Sequence, residues 1–297
     1  MRSVIDLESD LPPAEDGTPR HTDAVAESSA SRVGPERTPE LPGYGFSNYD
    51  TIFESHGSAP AGESLDSYTD RMQRAGIGVG VTRAENNQAT AAVLRAYPGR
   101  FVGLAYVSPL DGMRGVRELE RAVRDDGLAG FAVSSLYNAI PASDRRYYPL
   151  YAKCVELDIP VRIYSAMNYA NDRPYDVGHP RHLDQVAVDF PELRIVAGLG
   201  GWPWVNEMVA LLRRHPNLYC DTAAHRPKYF GKAGSGWEQF LHFGNTLNQH
   251  KVMIGLSANL LGESFETLID EYEQLPLKPS VKDRWFHDNA AEFFRLG

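Results

Sequence analysis

Hydrophobic and polar positions follow two alternating patterns from residue 65 onward. Apolar runs of five to nine residues, typical of buried β-strands, alternate with amphipathic segments of helical period. The predicted strands are SVIDL (3–7), IGVGVT (77–82), RFVGLAYVS (100–108), LAGFAVS (128–134), IPVRIYS (159–165), LRIVAG (193–198), NLYCDT (217–222) and KVMIGLS (251–257). Alternating strands and helices indicate a parallel sheet, and eight such units predict an α/β fold, a closed (β/α)8 TIM barrel.

Residues 11–66 break this pattern. They are rich in Pro, Ser, Glu, Asp and Gly and poor in aliphatic side chains, which predicts a long irregular insertion after strand 1. Four aromatic residues in its second half favour an insertion that folds over the barrel mouth: Tyr44, Phe46, Tyr49 and Phe53. A plain flexible loop is the alternative. In both cases residues 1–297 form a single barrel domain.

Composition narrows the classes of partner. The chain has 30 Lys+Arg against 39 Asp+Glu, a net charge of −9, which argues against a nucleic-acid or anionic-membrane surface. No apolar run approaches the ~20 residues of a membrane span, and acidic residues near the N-terminus argue against a signal peptide. Cys154 and Cys220 form no CxxC pair and are expected to be reduced core residues. These features predict a cytoplasmic protein that acts on a small molecule.

Several segments resemble the metal-dependent amidohydrolase superfamily, in its aminocarboxymuconate-semialdehyde decarboxylase and γ-resorcylate decarboxylase branch. They are VIDLESD (4–10), RFVGLAYVSPLDG (100–112), YYPLYAKCVELDIPVRIYS (147–165), HPRHLDQVAVDFPELRIVAGLGGWPW (179–204), HPNLYCDTAAHRPKYF (215–230) and DNAAEFF (288–294). The resemblance implies a barrel enzyme of lyase or hydrolase lineage, with its site at the carboxyl ends of the strands, and a homodimer.

The family's metal site uses five positions at strand ends, which the resemblance maps to Glu8, Asp10, Tyr164, Leu199 and Ser257. Only Glu8 is a ligand type that the family uses there, and no imidazole remains. Zinc and similar metals favour three or four imidazole, thiolate or carboxylate donors. We therefore expect no metal cofactor and the loss of metal-hydroxide chemistry. The alternative at this position is a weakly bound divalent cation on Glu8 and Asp10.

Four residues are candidate catalytic groups. Glu8 and Asp10 lie two apart on one strand, so one of them is expected to have a raised pKa. His225 follows strand 7, which ends at Asp221, and is the candidate general acid or base. Tyr164 could donate a hydrogen bond to a developing oxyanion. The alternatives are structural: solvated carboxylates or a pair with Arg83, a turn at His225, and a space-filling tyrosine.

The remaining candidates would bind the substrate. Tyr137, Leu199 and Trp202 favour a largely apolar or aromatic ligand, and Arg226 could bind a carboxylate. Weaker polar candidates follow other strands: Arg83, Asn168, Ser257 and Asn259.

Displaced histidines could rebuild a metal site. His179 and His182 stand three apart at a helix start, a spacing that suits a metal but also capping and packing, and His21 and His56 lie in the insertion. Three functions therefore stay open. They are metal-independent acid–base chemistry of the lyase, cyclase, dehydratase or isomerase type; a metal-dependent hydrolase or decarboxylase, or an iron oxygenase, with displaced ligands; and a non-catalytic binding protein.

Overall fold

The computed structural model describes residues 2–12 and 62–296. Eight strands form one parallel sheet in chain order, β1 to β8. They are β1 Val4–Asp6, β2 Ile77–Thr82, β3 Phe101–Ala105, β4 Gly130–Val133, β5 Val161–Tyr164, β6 Ile195–Gly198, β7 Leu218–Asp221 and β8 Val252–Met253. The predicted (β/α)8 barrel is confirmed. Most of the insertion, including its four aromatic residues, His21 and His56, lies outside the described residues.

The first and last strands meet through the segments that follow them. The Leu7 N–H donates to the Ile254 carbonyl at 3.0 Å, and the Ser257 N–H donates to the Glu8 carbonyl at 3.2 Å. These bonds bring the two edges of the sheet together, so the carboxyl ends of β1 and β8 are neighbours at the mouth.

Strand β8 is shorter than the apolar run that predicts it. The predicted strand spans residues 251–257, but β8 covers only Val252–Met253. Beyond it the N–H of Ile254 donates to the Trp285 carbonyl, and the N–H of Leu256 donates to the Asp6 carboxylate at 2.7 Å. The Trp285 carbonyl and the Asp6 side chain therefore take the place of backbone partners in a strand ladder there.

Helices surround the barrel, and most follow a strand. They are α1 Leu65–Arg74, α2 Asn87–Ala96, α3 Gly112–Arg124, α4 Ser135–Asn138, α5 Tyr148–Glu156, α6 Arg181–Asp189, α7 Val205–Arg214, α8 Glu238–Gly244, α9 Ala258–Leu261, α10 Phe265–Glu273, α11 Pro279–Asp283 and α12 Asn289–Phe294. Side-chain caps fix the starts of several of them: Ser64 accepts from Ser67, Asn86 from Ala89 and Ser264 from Thr267. No helix among the described residues is long and apolar enough to cross a membrane.

Two layers of apolar side chains stabilise the barrel. The larger lies between strands and helices and includes Phe131, Ile163, Tyr151 and Trp285, each fully or almost fully buried. A smaller cluster, which includes Ile5, Val102 and Met253, packs against the chain around Phe293. Both cysteines are buried and unpaired. Because the core fixes the strands rigidly, side chains at the ends of the strands are held at set positions at the mouth.

Candidate active site

An arginine lies between two carboxylates at the barrel mouth. Arg162, on β5, donates from Nε to Asp221 Oδ2 at 2.7 Å and forms a second ion pair from Nη1 to Glu8 Oε2. The three side chains are called here the Glu8–Arg162–Asp221 triad. They join strand β5 to the end of β7 and to the segment just after β1, which contains Glu8. Sequence reasoning missed Arg162, although it stands two residues before Tyr164 on the same face of an otherwise apolar strand.

Each member of the triad is tightly held. Asp221 is fully buried, and its Oδ1 accepts from the backbone N–H groups of Leu199 at 3.0 Å and Ala223 at 3.1 Å. Burial lowers the pKa of Arg162, but the negative charges of Asp221 and Glu8 raise it by more than burial lowers it. The pKa of Arg162 therefore stays above its ordinary value. The guanidinium is therefore a permanent positive charge at the mouth.

The donor set at this position does not fit a divalent metal. Glu8 and Asp221 are both paired with Arg162, and Asp10 is turned to helix α9, where its Oδ2 accepts from the Leu260 N–H at 2.7 Å. Within residues 2–12 and 62–296, no three His, Cys, Asp or Glu side chains form a group that could hold a metal ion. A cation would have to compete with a resident guanidinium for the same oxygens.

Glu8 and Asp10 have different hydrogen-bonding and ion-pair partners. The pKa of Asp10 is raised well above its ordinary value, chiefly by burial, with the charges of Asp6 and Glu8 adding to the effect. Its Oδ1 is buried and has no hydrogen-bond partner among the described residues. The alternative pairing of these carboxylates with Arg83 is not seen among the described residues, where Glu8 forms an ion pair with Arg162.

His225 lies beside the triad in an aromatic setting. Its ring centroid is 5.0 Å from that of Trp237 and 6.2 Å from that of Trp202. Burial lowers the pKa of His225 from 6.5 to about 4, although a hydrogen bond with the Leu199 backbone and the charge of Asp221 favour the protonated form. Nε2 is buried and has no hydrogen-bond partner in the described part of the chain. The imidazole is therefore neutral near pH 7, with one ring nitrogen available.

A second guanidinium lies between two tyrosines. The Arg83 Cζ is 5.4 Å from the Tyr106 ring centroid and 5.5 Å from that of Tyr137, a cation–π contact with each ring. Its Nη1 is buried, and no hydrogen bond or ion pair to another described residue satisfies it. The Tyr106 hydroxyl donates to Asn138 Oδ1 at 3.0 Å, which fixes one of the two rings. This charge is available for an anionic group of a ligand.

Tyr164 and Tyr137 belong to one aromatic and aliphatic cluster. Leu136, Tyr137 and Ala170 are buried together, with Tyr106 and Tyr164 packed against them. The Tyr164 hydroxyl donates to the Met167 carbonyl at 2.8 Å, so this contact holds the ring in place. The cluster connects the Arg83 side of the mouth to β5, which carries Arg162.

At the end of β6, Gly198 rather than Leu199 faces the triad. A Cβ on Gly198 would lie 3.2 Å from Arg162 Nη2 and 3.3 Å from its Cζ. Leu199 follows with a φ of 68°, and its N–H donates to Asp221. Trp202 stacks on Tyr169, with ring centroids 6.1 Å apart and planes 6° apart, on the His225 side of the mouth. An aromatic wall therefore flanks the histidine.

The other predicted binding residues are engaged within the protein. Asn168 donates to the Leu136 carbonyl and accepts from Ala170, and Asn259 donates to the Asp10 carbonyl at 2.7 Å. Ser257 Oγ accepts from the Ala224 N–H at 3.0 Å. Arg226 forms ion pairs with Glu263 and Glu271, away from the triad. These contacts stabilise the loops that form the mouth.

The two histidines at the start of α6 have separate partners. His182 Nδ1 lies 2.8 Å from Ser143 Oγ, whereas His179 Nε2 lies 3.3 Å from Glu207 and its ring packs on Trp204. The structure thus gives each a packing or hydrogen-bonding role.

Comparison with known proteins identifies the family. The sequence profile of the amidohydrolase family matches residues 54–296, most of the chain. The chain belongs to the amidohydrolase family. This agrees with the resemblance noted from the sequence and with the barrel.

Individual relatives are more distant. A 2-keto-4-carboxy-3-hexenedioate hydratase of Sphingobium sp. (strain NBRC 103272 / SYK-6) is 30% identical over 134 residues, which span 39% of this chain and 39% of the hydratase. An uncharacterised TIM-barrel protein from Bordetella bronchiseptica has 25% identity and a TM-score of 0.73, covering 99% of this chain and 98% of its own.

A more distant neighbour contains a metal. The 5-carboxyvanillate decarboxylase of Novosphingobium aromaticivorans, in complex with manganese and 4-hydroxy-3-methoxy-5-nitrobenzoic acid, is 16% identical at a TM-score of 0.67, covering 99% of this chain and 96% of its own. That likeness shows the shared fold.

Proposed function

We propose that this protein is a lyase that uses acid–base chemistry, without a metal, on a small carboxylic acid with a planar apolar body. The observation that carries the proposal is the neutral, buried imidazole of His225, whose Nε2 has no hydrogen-bond partner among the described residues. A neutral imidazole can accept a proton from substrate or water and return it later in the same reaction.

The surroundings of His225 support that role. Asp221 lies beside the ring and stabilises the imidazolium that forms when His225 accepts a proton. Trp202 and Trp237 flank the ring and shield it from water, which strengthens the electrostatic effect of Asp221. Asp10, with a raised pKa, is a second candidate proton donor at the mouth.

The substrate class follows from the two sides of the mouth. Arg83, held between Tyr106 and Tyr137, would bind a carboxylate, and the aromatic side chains would cover a planar body. Both named relatives act on carboxylic acids, one as a hydratase and one as a decarboxylase, and both reactions are lyase reactions. The Glu8–Arg162–Asp221 triad favours the metal-independent version of such a reaction.

The test is turnover with a matched histidine control. Chelator-treated protein would be incubated with unsaturated keto-dicarboxylates and hydroxybenzoates, and gain or loss of water or loss of CO2 would be followed by mass spectrometry. We expect turnover to survive chelation. His225→Gln should lower kcat at least ~100-fold because the general base is lost. His182→Gln, whose imidazole contacts Ser143, should retain activity.

Two outcomes would contradict the proposal. Activity that disappears on chelation and returns with Mn²⁺ would favour a metal-dependent enzyme with displaced ligands. Turnover that is unchanged in His225→Gln would remove the proposed base. Arg83→Met offers an independent check, since it should raise KM for carboxylates more than it lowers kcat.

A further inference from the structure

The guanidinium of Arg162 has one hydrogen-bonding position left unused. Nε is bonded to Asp221 and Nη1 to Glu8, but Nη2 is buried without a partner among residues 2–12 and 62–296. Buried charged donors are normally satisfied, because an unmade hydrogen bond to a charged group is costly. Nη2 is thus a donor that a bound oxygen atom would satisfy.

The Arg162 guanidinium packs directly against Gly198, which has no side chain. A Cβ on Gly198 would lie 3.2 Å from Nη2 and 3.3 Å from Cζ of Arg162, closer than side chains normally pack. Gly198 has φ −71° and ψ 147°, values that any residue adopts, so its backbone does not require glycine. The close approach of Arg162 is what requires a residue without a side chain there.

We propose that Arg162 supplies the positive charge that a metal ion supplies in the manganese-containing relative, and that its Nη2 donates to a carbonyl oxygen of the substrate. Glu8 and Asp221 hold the guanidinium in place as they would hold a cation. A carbonyl oxygen suits this position better than a second carboxylate, because the triad already carries two negative charges and one positive charge. Hydrogen bonding by Nη2 would polarise the carbonyl as negative charge develops on it.

This inference shares the pocket of the proposed function but is tested without turnover. The first probe is acetophenone labelled with ¹³C at the carbonyl, whose C=O stretching frequency is measured by infrared difference spectroscopy. A donor at Nη2 lowers that frequency. We expect the shift to a lower frequency in the wild-type protein, to disappear in Arg162→Met, and to persist in His225→Gln.

The second measurement is Mn²⁺ binding, followed by electron paramagnetic resonance. The wild-type protein should bind no Mn²⁺ at the triad, because the guanidinium occupies both carboxylates. Arg162→Met frees those carboxylates and should gain binding of Mn²⁺ at the triad, an effect that Glu8→Gln in the same variant should reverse. Where Arg162→Met does not fold, Arg162→Lys replaces it. That variant should still exclude Mn²⁺ but lose the carbonyl shift, because lysine lacks the forked donors.

Two results would overturn the inference. One is a carbonyl frequency in the wild-type protein that equals that of the Arg162 variants or of free acetophenone. The other is one Mn²⁺ per wild-type chain whose binding is lost in Glu8→Gln. If the lyase assays fail while the infrared shift is present, the proposed reaction is wrong and the role of Arg162 stands. If turnover is observed without the infrared shift, the proposed reaction stands and the role of Arg162 is wrong.

Discussion

The triad predicts a large stability cost for the loss of Asp221. In Asp221→Ala, the carboxylate that accepts from Arg162 Nε at 2.7 Å and from the Leu199 and Ala223 N–H groups disappears. The site is completely buried, so water cannot replace these bonds. Breaking a buried ion pair by removing one partner costs about 3–5 kcal/mol, because the remaining charge stays buried. Glu8 still pairs with Arg162, which places the expected loss near the lower end.

A surface pair supplies the matched control. Asp176 accepts from Arg181 Nη2 at 2.8 Å, a distance similar to that in the triad, but the two side chains are 33% and 61% exposed. Exposed ion pairs contribute about 0.2–1 kcal/mol. We therefore expect Asp176→Ala to cost less than about 1 kcal/mol of unfolding free energy.

Urea denaturation at pH 7, followed by circular dichroism, measures both variants. The reasoning is refuted if Asp221→Ala loses no more unfolding free energy than Asp176→Ala. Asp221→Asn refines the result. It keeps an acceptor oxygen for the two backbone N–H groups but places an uncharged amide against Arg162, so it should fall between wild type and Asp221→Ala.

Two further predictions concern packing and pH. Gly198→Ala should lower the unfolding free energy by about 1–3 kcal/mol, because its Cβ would lie 3.2 Å from Arg162 Nη2. Gly231→Ala should be near neutral, because its Cβ would have no neighbour nearer than 3.9 Å. Equal unfolding free energies of the two variants would contradict this reasoning. Burial lowers the pKa of His225 from 6.5 to about 4, so the contribution of His225 to stability is present above pH 6.5 and lost as the pH falls through 4. Burial raises the pKa of Asp6 from 3.8 to about 6, so the contribution of Asp6 is present below pH 3.8 and lost as the pH rises through 6. Between pH 4 and 6.5, the unfolding free energy of His225→Gln should therefore rise less than that of wild type, and that of Asp6→Asn should rise more. Each difference from wild type should reach up to about 3 kcal/mol. Profiles of unfolding free energy against pH that run parallel to wild type would contradict both pKa shifts.

The barrel was predictable from the sequence because its signal is distributed and redundant. Each strand is an apolar run, and each following helix has its own period and caps, such as Asn86 before α2. The predicted strand bounds fail at β8, where backbone N–H groups donate to partners other than a neighbouring strand's backbone. Residues 254–257 are apolar like a strand, but hydrogen bonds to Trp285 and to the Asp6 carboxylate end β8 early.

The site was harder to predict, because its key contacts join residues far apart in the chain. Sequence reasoning named Glu8, Asp221 and His225 but could not show that Arg162, an isolated charge in a buried strand, lies between the first two. It also assigned Leu199 to the pocket, one residue beyond Gly198, whose missing side chain makes room for the guanidinium. The sequence did contain one indication of Arg162: it is a charged residue in an apolar barrel strand, two residues before the candidate site residue Tyr164.

Arg162 and a metal ion exclude each other at the mouth of the barrel. An arginine cannot lie between the strand ends while imidazoles and a cation occupy them, because charge and volume both conflict. A glycine at position 198 provides the volume, and carboxylates at positions 8 and 221 balance the charge, while the hydroxyl at position 257 bonds to Ala224 and adds no further negative charge. A side chain introduced at position 198 alone, such as that of histidine, would collide with Arg162 and would not create a metal site. Removal of Arg162, with Gly198 kept, is the change that leaves both the space and the free carboxylates that a metal ion requires.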